Sequence, residues 1–292
     1  MNSTTITVFG ATGLAGGAVA RHLLNAGWIV RAATRNTEGE AARALAALGA
    51  QTITADLDNR ASIREAIADT AAVYLSGPSL GNRWDIGQAV QGINVCDAAA
   101  EVGTPHLIYQ SAVIADARGV LAMGSKRAIE ERIAELEVPA TITRPGLFME
   151  IFIERFGIRP GTNGQEVALP LPLEAMLDVV TIDDIGRSAV AIASDPARHA
   201  GEVYELAGEH ISFASIAKTF SEELGIPVAA ATIPLDQFAA RWPQGAGLFR
   251  LIGSSRALAS MESGRALLGS MENFHSWVSR HRALLRNGLT IR

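Results

Sequence analysis

TVFGATGLAG, residues 7–16, runs from a β-branched apolar stretch through three glycines, Gly10, Gly13 and Gly16, into a helical pattern. The spacing is G-x-x-G-x-x-G. Ala15, Val19, Leu23 and Ala26 then recur at steps of four, four and three, which marks one face of a helix. A strand that enters a helix through so bare a turn has a physical use. Glycine tolerates positive φ and lets a ligand approach the backbone. The helix that begins near Leu14 aims unpaired N–H groups at whatever sits there, and a nucleotide phosphate is the natural occupant. Taken alone the spacing also suits tight strand–helix packing. Its position after the first strand and before further strand–helix units favours a dinucleotide.

The units that follow are regular. WIVRAAT (28–34), QTITA (51–55), AAVYLSG (71–77), HLIYQSA (106–112) and ATITRP (140–145) have strand composition, as does TITVFG (5–10). Helical stretches separate them. TEGEAARALAALGA ends in Gly49, a helix stop, and residues 83–102 and 120–137 form two more helices. Such alternation predicts a parallel sheet covered on both faces. After Arg144 the rhythm breaks. IRPGTNGQEVALPLPLE (158–174) contains an Asn163-Gly164 turn signal and predicts a loop or hairpin. LDVVTIDDIGRSAVAIA (177–193) predicts a strand and then a helix with Asp183 or Asp184 at its start. ENFHSWVSRHRALL (272–285) predicts a terminal amphipathic helix. The expected division is a nucleotide-binding domain over 1–156 and a smaller, mostly helical substrate lobe over 157–292. Residues 177–193 return to the first sheet, and the lobe rests on the carboxyl ends of its strands.

The totals bound the function. The chain has 292 residues, 48% hydrophobic, and a net charge of −5. It lacks the broad basic surface that nonspecific nucleic-acid binding requires. No apolar run approaches the roughly 20 residues of a membrane span, and the N-terminus MNSTTITVFG does not resemble a signal peptide. The single cysteine, Cys96, permits no intrachain disulfide and suits a reducing compartment. A cytoplasmic protein acting on a small molecule is expected, with a homo-oligomer left open. The six histidines show no metal-ligand spacing, and no G-x-S-x-G nucleophile elbow occurs.

Cofactor preference is set by the residue after the second strand. An acid there would bond the ribose hydroxyls of NAD, but this chain has Thr34 and then Arg35. A guanidinium suits a 2′-phosphate, so NADP is favoured and NAD is less so. Asp56 and Leu57, after the third strand, stand where an adenine ring falls, although Asp56 or Asp58 equally suits capping of the next helix. Ser76, Gly77 and Pro78 close the fourth strand, either beneath the cofactor's middle or simply as strand-ending residues. On the fifth helix Lys126 shares the apolar stripe of Ile129, Ile133 and Leu136. Lysine on such a face needs a partner, and a bound ribose would provide one; otherwise it snorkels to water.

GATGLAG, ATRN, YQSA (109–112), the helical lysine and TRPGLFME (143–150) together resemble the NmrA-like family, as do DVVTIDDIG and NFHSWVSRH. These are atypical short-chain dehydrogenases related to isoflavone-type reductases, and the likeness runs over nearly the whole chain. It implies a Rossmann-type doubly wound α/β fold that binds NADP through Gly10, Thr12, Gly13, Leu14, Ala15 and Gly16. It further implies that Lys126 contacts the nicotinamide ribose and that Pro145, Gly146, Leu147 and Phe148 flank the nicotinamide. Phe148, Met149 and Phe152 would then floor a flat apolar pocket, unless they are core. Ser111 matches the superfamily's strand-end serine, or else bonds backbone. The tyrosine of Y-x-x-x-K is missing, because Ala122 stands four residues before Lys126.

Without that acid a simple ketone is a poor substrate, since hydride addition leaves a basic alkoxide. Reduction of a quinone or conjugated enone leaves a delocalised, weakly basic anion, which Lys126 or water can protonate. An NADPH-dependent reductase of such molecules is therefore expected. Its extension is an aromatic polyketide whose quinol reacts with oxygen to give net hydroxylation. A non-catalytic NADP sensor acting through a protein partner fits the missing tyrosine equally well; sugar-nucleotide epimerisation does not. Trp242, Phe249, Met261 and Trp277 are candidate walls of a substrate pocket, or helix-packing core.

Overall fold

TITVF forms β1 (Thr5–Phe9), buried at every position. Its side chains are apolar or β-branched on both faces, as a central parallel strand requires. A computed structural model describes residues 5–77, 86–113, 121–161, 164–254 and 259–290. Through the first unit the elements continue as α1 (Leu14–Asn25), β2 (Ile29–Thr34), α2 (Glu40–Ala47), β3 (Gln51–Thr54), α3 (Arg60–Ile67) and β4 (Ala72–Ser76). Then come α4 (Ile86–Glu101), β5 (Leu107–Gln110), α5 (Leu121–Glu135) and β6 (Ala140–Pro145). The chain goes on through β7 (Leu147–Phe148), α6 (Ile151–Glu154), β8 (Arg159–Gly161), β9 (Gly164–Leu169), β10 (Met176–Val180), α7 (Ile182–Ser194), α8 (Pro196–His199), β11 (Val203–Leu206) and β12 (Glu209–Ser212). It ends with α9 (Phe213–Leu224), β13 (Val228–Thr232), α10 (Leu235–Arg241), α11 (Pro243–Ser254), α12 (Met261–Leu268), α13 (Phe274–Arg280) and α14 (Arg282–Thr290).

The large sheet has the order β11-β6-β5-β4-β1-β2-β3. From β3 to β6 every adjacent pair is parallel. The order reverses between β1 and β4, so the crevice at their carboxyl ends is the topological switch point where open α/β sheets bind ligands. One face carries a core of Phe9, Val73, Leu75 and Leu107 against Ile63 and Ile67 of α3, Val95 and Cys96 of α4, and Ile129 and Ile133 of α5. Cys96 is a buried small apolar residue, and burial pushes its thiol up to about 12. Helices α1 and α7 pack on each other so closely that a Cβ at Gly186 would strike the His22 ring. Asp183 and Asp184 lie in the first turn of α7, where acids favour the helix dipole.

Contacts divide the chain into two units. The first runs through Pro145 and takes back 182–205 and 266–268; the second holds 146–181, 206–265 and 269–292. The division therefore falls at Pro145 rather than 156. Strand β10 stays in the second unit, and α7 is the segment that returns. The cause is strand pairing: Val179 and Val180 pair in parallel with Leu147 and Phe148, not with the large sheet.

The second unit holds two three-stranded sheets, β12-β10-β7 and β13-β9-β8. The segment 158–174 contains the β8–β9 hairpin, antiparallel in register Arg159↔Glu166, and β13 joins β9 in parallel. Asn163 lies outside the described residues. The predicted terminal helix is two helices broken at His281. Its ring Nδ1 lies 2.9 Å from the Trp277 carbonyl, which its own N–H also reaches at 3.0 Å. That local side-chain bond competes with helix continuation.

Phe152 packs edge-on against Phe220 and Phe274, with ring centres 5.9 and 5.5 Å apart. Trp277 stacks on Phe274, and its indole N–H donates to Glu150 Oε1 at 3.0 Å, with both residues buried. Glu150→Ala is therefore expected to destabilise the protein by about 1–3 kcal/mol, because it leaves a buried donor unmet. Glu150→Gln keeps an acceptor and should cost less. Chemical denaturation of the two variants checks the order.

Candidate functional site

The turn between β1 and α1 is built from its three glycines. Gly10 has φ +78°, a left-handed conformation that favours glycine. A Cβ there would also sit 2.7 Å from the Ser76 carbonyl oxygen at the end of β4. A Cβ on Gly16 would collide with the Gly10 carbonyl, 2.6 Å from its carbon. Gly13 is the N-cap of α1 and offers no side-chain cap, and the first turn contains no acid. The amides of Leu14, Ala15 and Gly16 consequently face the switch-point crevice with nothing anionic from their own turn beside them. Open amides, a positive helix end and space that a Cβ would fill together make a fitting cradle for a pyrophosphate.

Arg35, at the end of β2, is exposed and forms no ion pair among the described residues. Beside it, Thr34 and Asn36 bond each other in a tight turn. After β3, Asp56 Oδ1 accepts the N–H of Asp58, and the Leu57 carbonyl accepts from Asn94 of α4. Neither Asp56 nor Asp58 caps α3. Asn59 does, accepting the amides of Ala61 and Ser62. Asp58 is engaged instead by Gln91 at 3.0 Å. Asp56 is thus exposed and not committed to capping.

Ser76 is buried against the glycine turn. Gly77 packs on Gln88, whose Nε2 would be 2.9 Å from an added Cβ. Pro78 lies outside the described residues. Gln88 is buried and its Oε1 accepts from Ser125 Oγ at 3.0 Å, tying α4 to α5 next to Lys126. Sequence reading missed Gln88 and Ser125. The available signal was a glutamine and a serine in otherwise small or apolar helix stretches. Ser111 follows β5, and its buried hydroxyl has no hydrogen-bond partner among the described residues. The neighbouring Tyr109 hydroxyl is also buried, and the Ser111 hydroxyl lies close enough to it to favour its ionised form slightly. Burial holds Tyr109 well above the ordinary phenol range, with Glu130 adding to the effect.

Lys126 is half-buried on α5. Burial lowers its amine to about 8, against the opposing pull of Glu130 one helical turn away. Glu130 does not neutralise it at close range, because both carboxylate oxygens are taken by Arg144, at 3.1 and 2.5 Å. Lys126 is therefore an ammonium near neutral pH that surrenders its proton readily.

Pro145 ends β6. Gly146 opens the second unit, where a Cβ would strike the Asp178 carbonyl, and Leu147 and Phe148 are half-buried in β7. The expectation for Met149 and Phe152 is overturned. Both are fully buried in the second unit's core, Phe152 between two phenylalanine rings, so neither floors a pocket. Phe249 and Trp277 are likewise core, whereas Trp242 lines a cleft. His106 is buried against Thr141 at 2.8 Å, and burial lowers its pKa to about 4. No group of acids, histidines or cysteine suited to a metal occurs among the described residues, and none of their helices is long and apolar enough to cross a membrane.

Sheet order, switch-point glycines and bare helix mouth define a Rossmann-type α/β protein. A model of the NmrA-like family matches residues 2–263, and the chain belongs to that family. The NmrA-like oxidoreductase cpsB of Aspergillus campestris is 36% identical over 126 residues, 38% of this chain and 35% of the relative. The chain thus spans about a third of that relative's length. Quinone oxidoreductase 2 of Escherichia coli is 28% identical over 240 residues, 80% of each chain. Among solved structures, the negative transcriptional regulator NmrA in complex with NADP superposes with TM-score 0.81 at 20% identity, covering 99% of both chains.

Proposed function

We propose that this chain is an NADPH-dependent reductase of quinones or comparably conjugated aromatic and enone molecules. The observation that carries the reading is the mouth of α1: uncapped amides beneath glycines that leave no room for a Cβ, with an unpaired Arg35 at the next strand end. The names of its relatives, oxidoreductase and quinone oxidoreductase, support it. NADPH bound there supplies a hydride. The residues to hold it are Gly10 to Gly16 at the pyrophosphate, Arg35 at the 2′-phosphate, Asp56 and Leu57 at the adenine, and Ser76 and Gly77 at the middle. Ser111, Lys126 and the stretch Pro145 to Phe148 serve the nicotinamide end. The buried hydroxyl of Ser111 and the poorly compensated ammonium of Lys126 are both suited to a polar ligand.

Lys126 then acts as the proton source. With its pKa near 8 it can protonate the delocalised quinol anion that hydride addition leaves, whose conjugate acid is a phenol of pKa about 10. An aromatic polyketide quinone, with oxygen consuming the quinol, is one substrate of this class. The test mixes purified protein, NADPH and a panel of quinones and follows cofactor absorbance. Oxidation well above background is expected. A second reading is an NADP sensor, favoured by the likeness to a regulator solved with NADP. Tight NADP binding with no oxidation would decide for it.

Arg35→Glu is expected to weaken NADPH binding by roughly 10- to 100-fold, the worth of a charge-assisted bond exchanged for repulsion, and to leave NADH no worse. Calorimetric titration of both cofactors checks this, and unchanged NADPH affinity removes Arg35 from the site.

A further inference from the structure

The second unit contains a cleft of about 310 Å³. That is at the small end of the range for small-molecule sites, roughly 300–1,000 Å³. Phe156, Phe238 and Trp242 form a triangle of rings with centres 5.5, 5.7 and 5.8 Å apart. The fully buried Phe249 touches all three from behind, at 5.6, 4.8 and 6.1 Å. The Trp242 ring lies against the backbone at Gly245 so tightly that a Cβ there would enter it. The aromatic wall is therefore fixed before any ligand arrives, which lowers the ordering cost of binding.

Three arginines line the same cleft. Arg159 is satisfied by Glu166, which accepts from its Nε and Nη2 at 3.2 Å each. Arg155 and Arg241 are exposed and form no ion pair among the described residues. Arg155 holds its guanidinium 4.9 Å from the centre of the Trp242 ring, a cation–π contact that fixes it at the cleft. No acidic residue is among the lining residues. A chain with net charge −5 thus gathers two uncompensated guanidiniums around a rigid aromatic wall. We propose that this cleft binds a planar aromatic molecule bearing a carboxylate or a comparable anion, its ring against Trp242 and Phe156 and its charge between Arg155 and Arg241. The proposal does not depend on the cofactor reading.

The test uses the whole protein without NADPH, titrated calorimetrically with 2-naphthoate and with the uncharged 2-naphthamide. Naphthoate is expected to bind at least about 10-fold more tightly, as charge-assisted contacts dictate. The double variant Arg155→Gln/Arg241→Gln should lose most of that preference while keeping its affinity for the amide. Both arginines are exposed, and a thermal melt confirms that the variant folds. Absence of saturable naphthoate binding, equal affinity for acid and amide, or a preference unchanged in the double variant would each overturn the proposal. Because no outcome involves NADPH oxidation, failure here is distinct from failure of the proposed reductase activity.

Discussion

Gly16→Ala is expected to reduce NADPH binding by about 100-fold or more and to destabilise the protein by roughly 1–3 kcal/mol. The added methyl group would meet the Gly10 carbonyl, and both collision partners are backbone. No flexible side chain can move aside. Relief requires separating the start of α1 from the β1 turn, which withdraws the amides that a pyrophosphate needs. Gly253→Ala in α11 is the control. Its Cβ would make only ordinary contacts at 3.5 Å, so it should leave binding intact and be neutral or slightly stabilising. Calorimetry with NADPH and thermal unfolding read the two effects separately. A Gly16→Ala protein that binds NADPH like the parent would remove the turn from the cofactor site.

Lys126→Met is expected to lower kcat for quinone reduction by about 10²–10⁴-fold, the usual worth of a positioned acid. The pH profile gives the sharper readout. The proton-bearing form of Lys126 is the one that donates, and burial places its pKa near 8. At saturating NADPH the rate should hold below about pH 8 and fall as pH rises through it. Lys126→Arg keeps a cation at this position but cannot release a proton in this range. It should preserve most of the NADPH affinity, lose most of kcat and show no alkaline fall. A wild-type profile flat to pH 10 would show that the proton comes from elsewhere.

The site was legible to different depths. The glycine turn and Arg35 stood out as candidates because glycine spacing and the charge after a strand are local features, and local features are what a sequence displays. Lys126 was visible as a cation on an apolar stripe. Gln88 and Ser125 were not, since their pairing depends on how α4 and α5 meet. Met149 and Phe152 illustrate the converse. Their composition suited a pocket floor or a core equally, and only the complete burial of Met149 and the packing of Phe152 against Phe220 and Phe274 separate the two.

The order of strands and helices through residue 145, the bare turn and the sign of the charge after β2 were written in the chain itself. Each follows from periodicity or from chemistry within a few residues. Tertiary structure alone decided that β10 pairs with β7 and that Arg155 shares one cleft with Arg241 and Trp242. Those outcomes rest on contacts between segments far apart in the chain. Which segments meet is set by the competition among all apolar faces for burial, and no short stretch of sequence contains that competition.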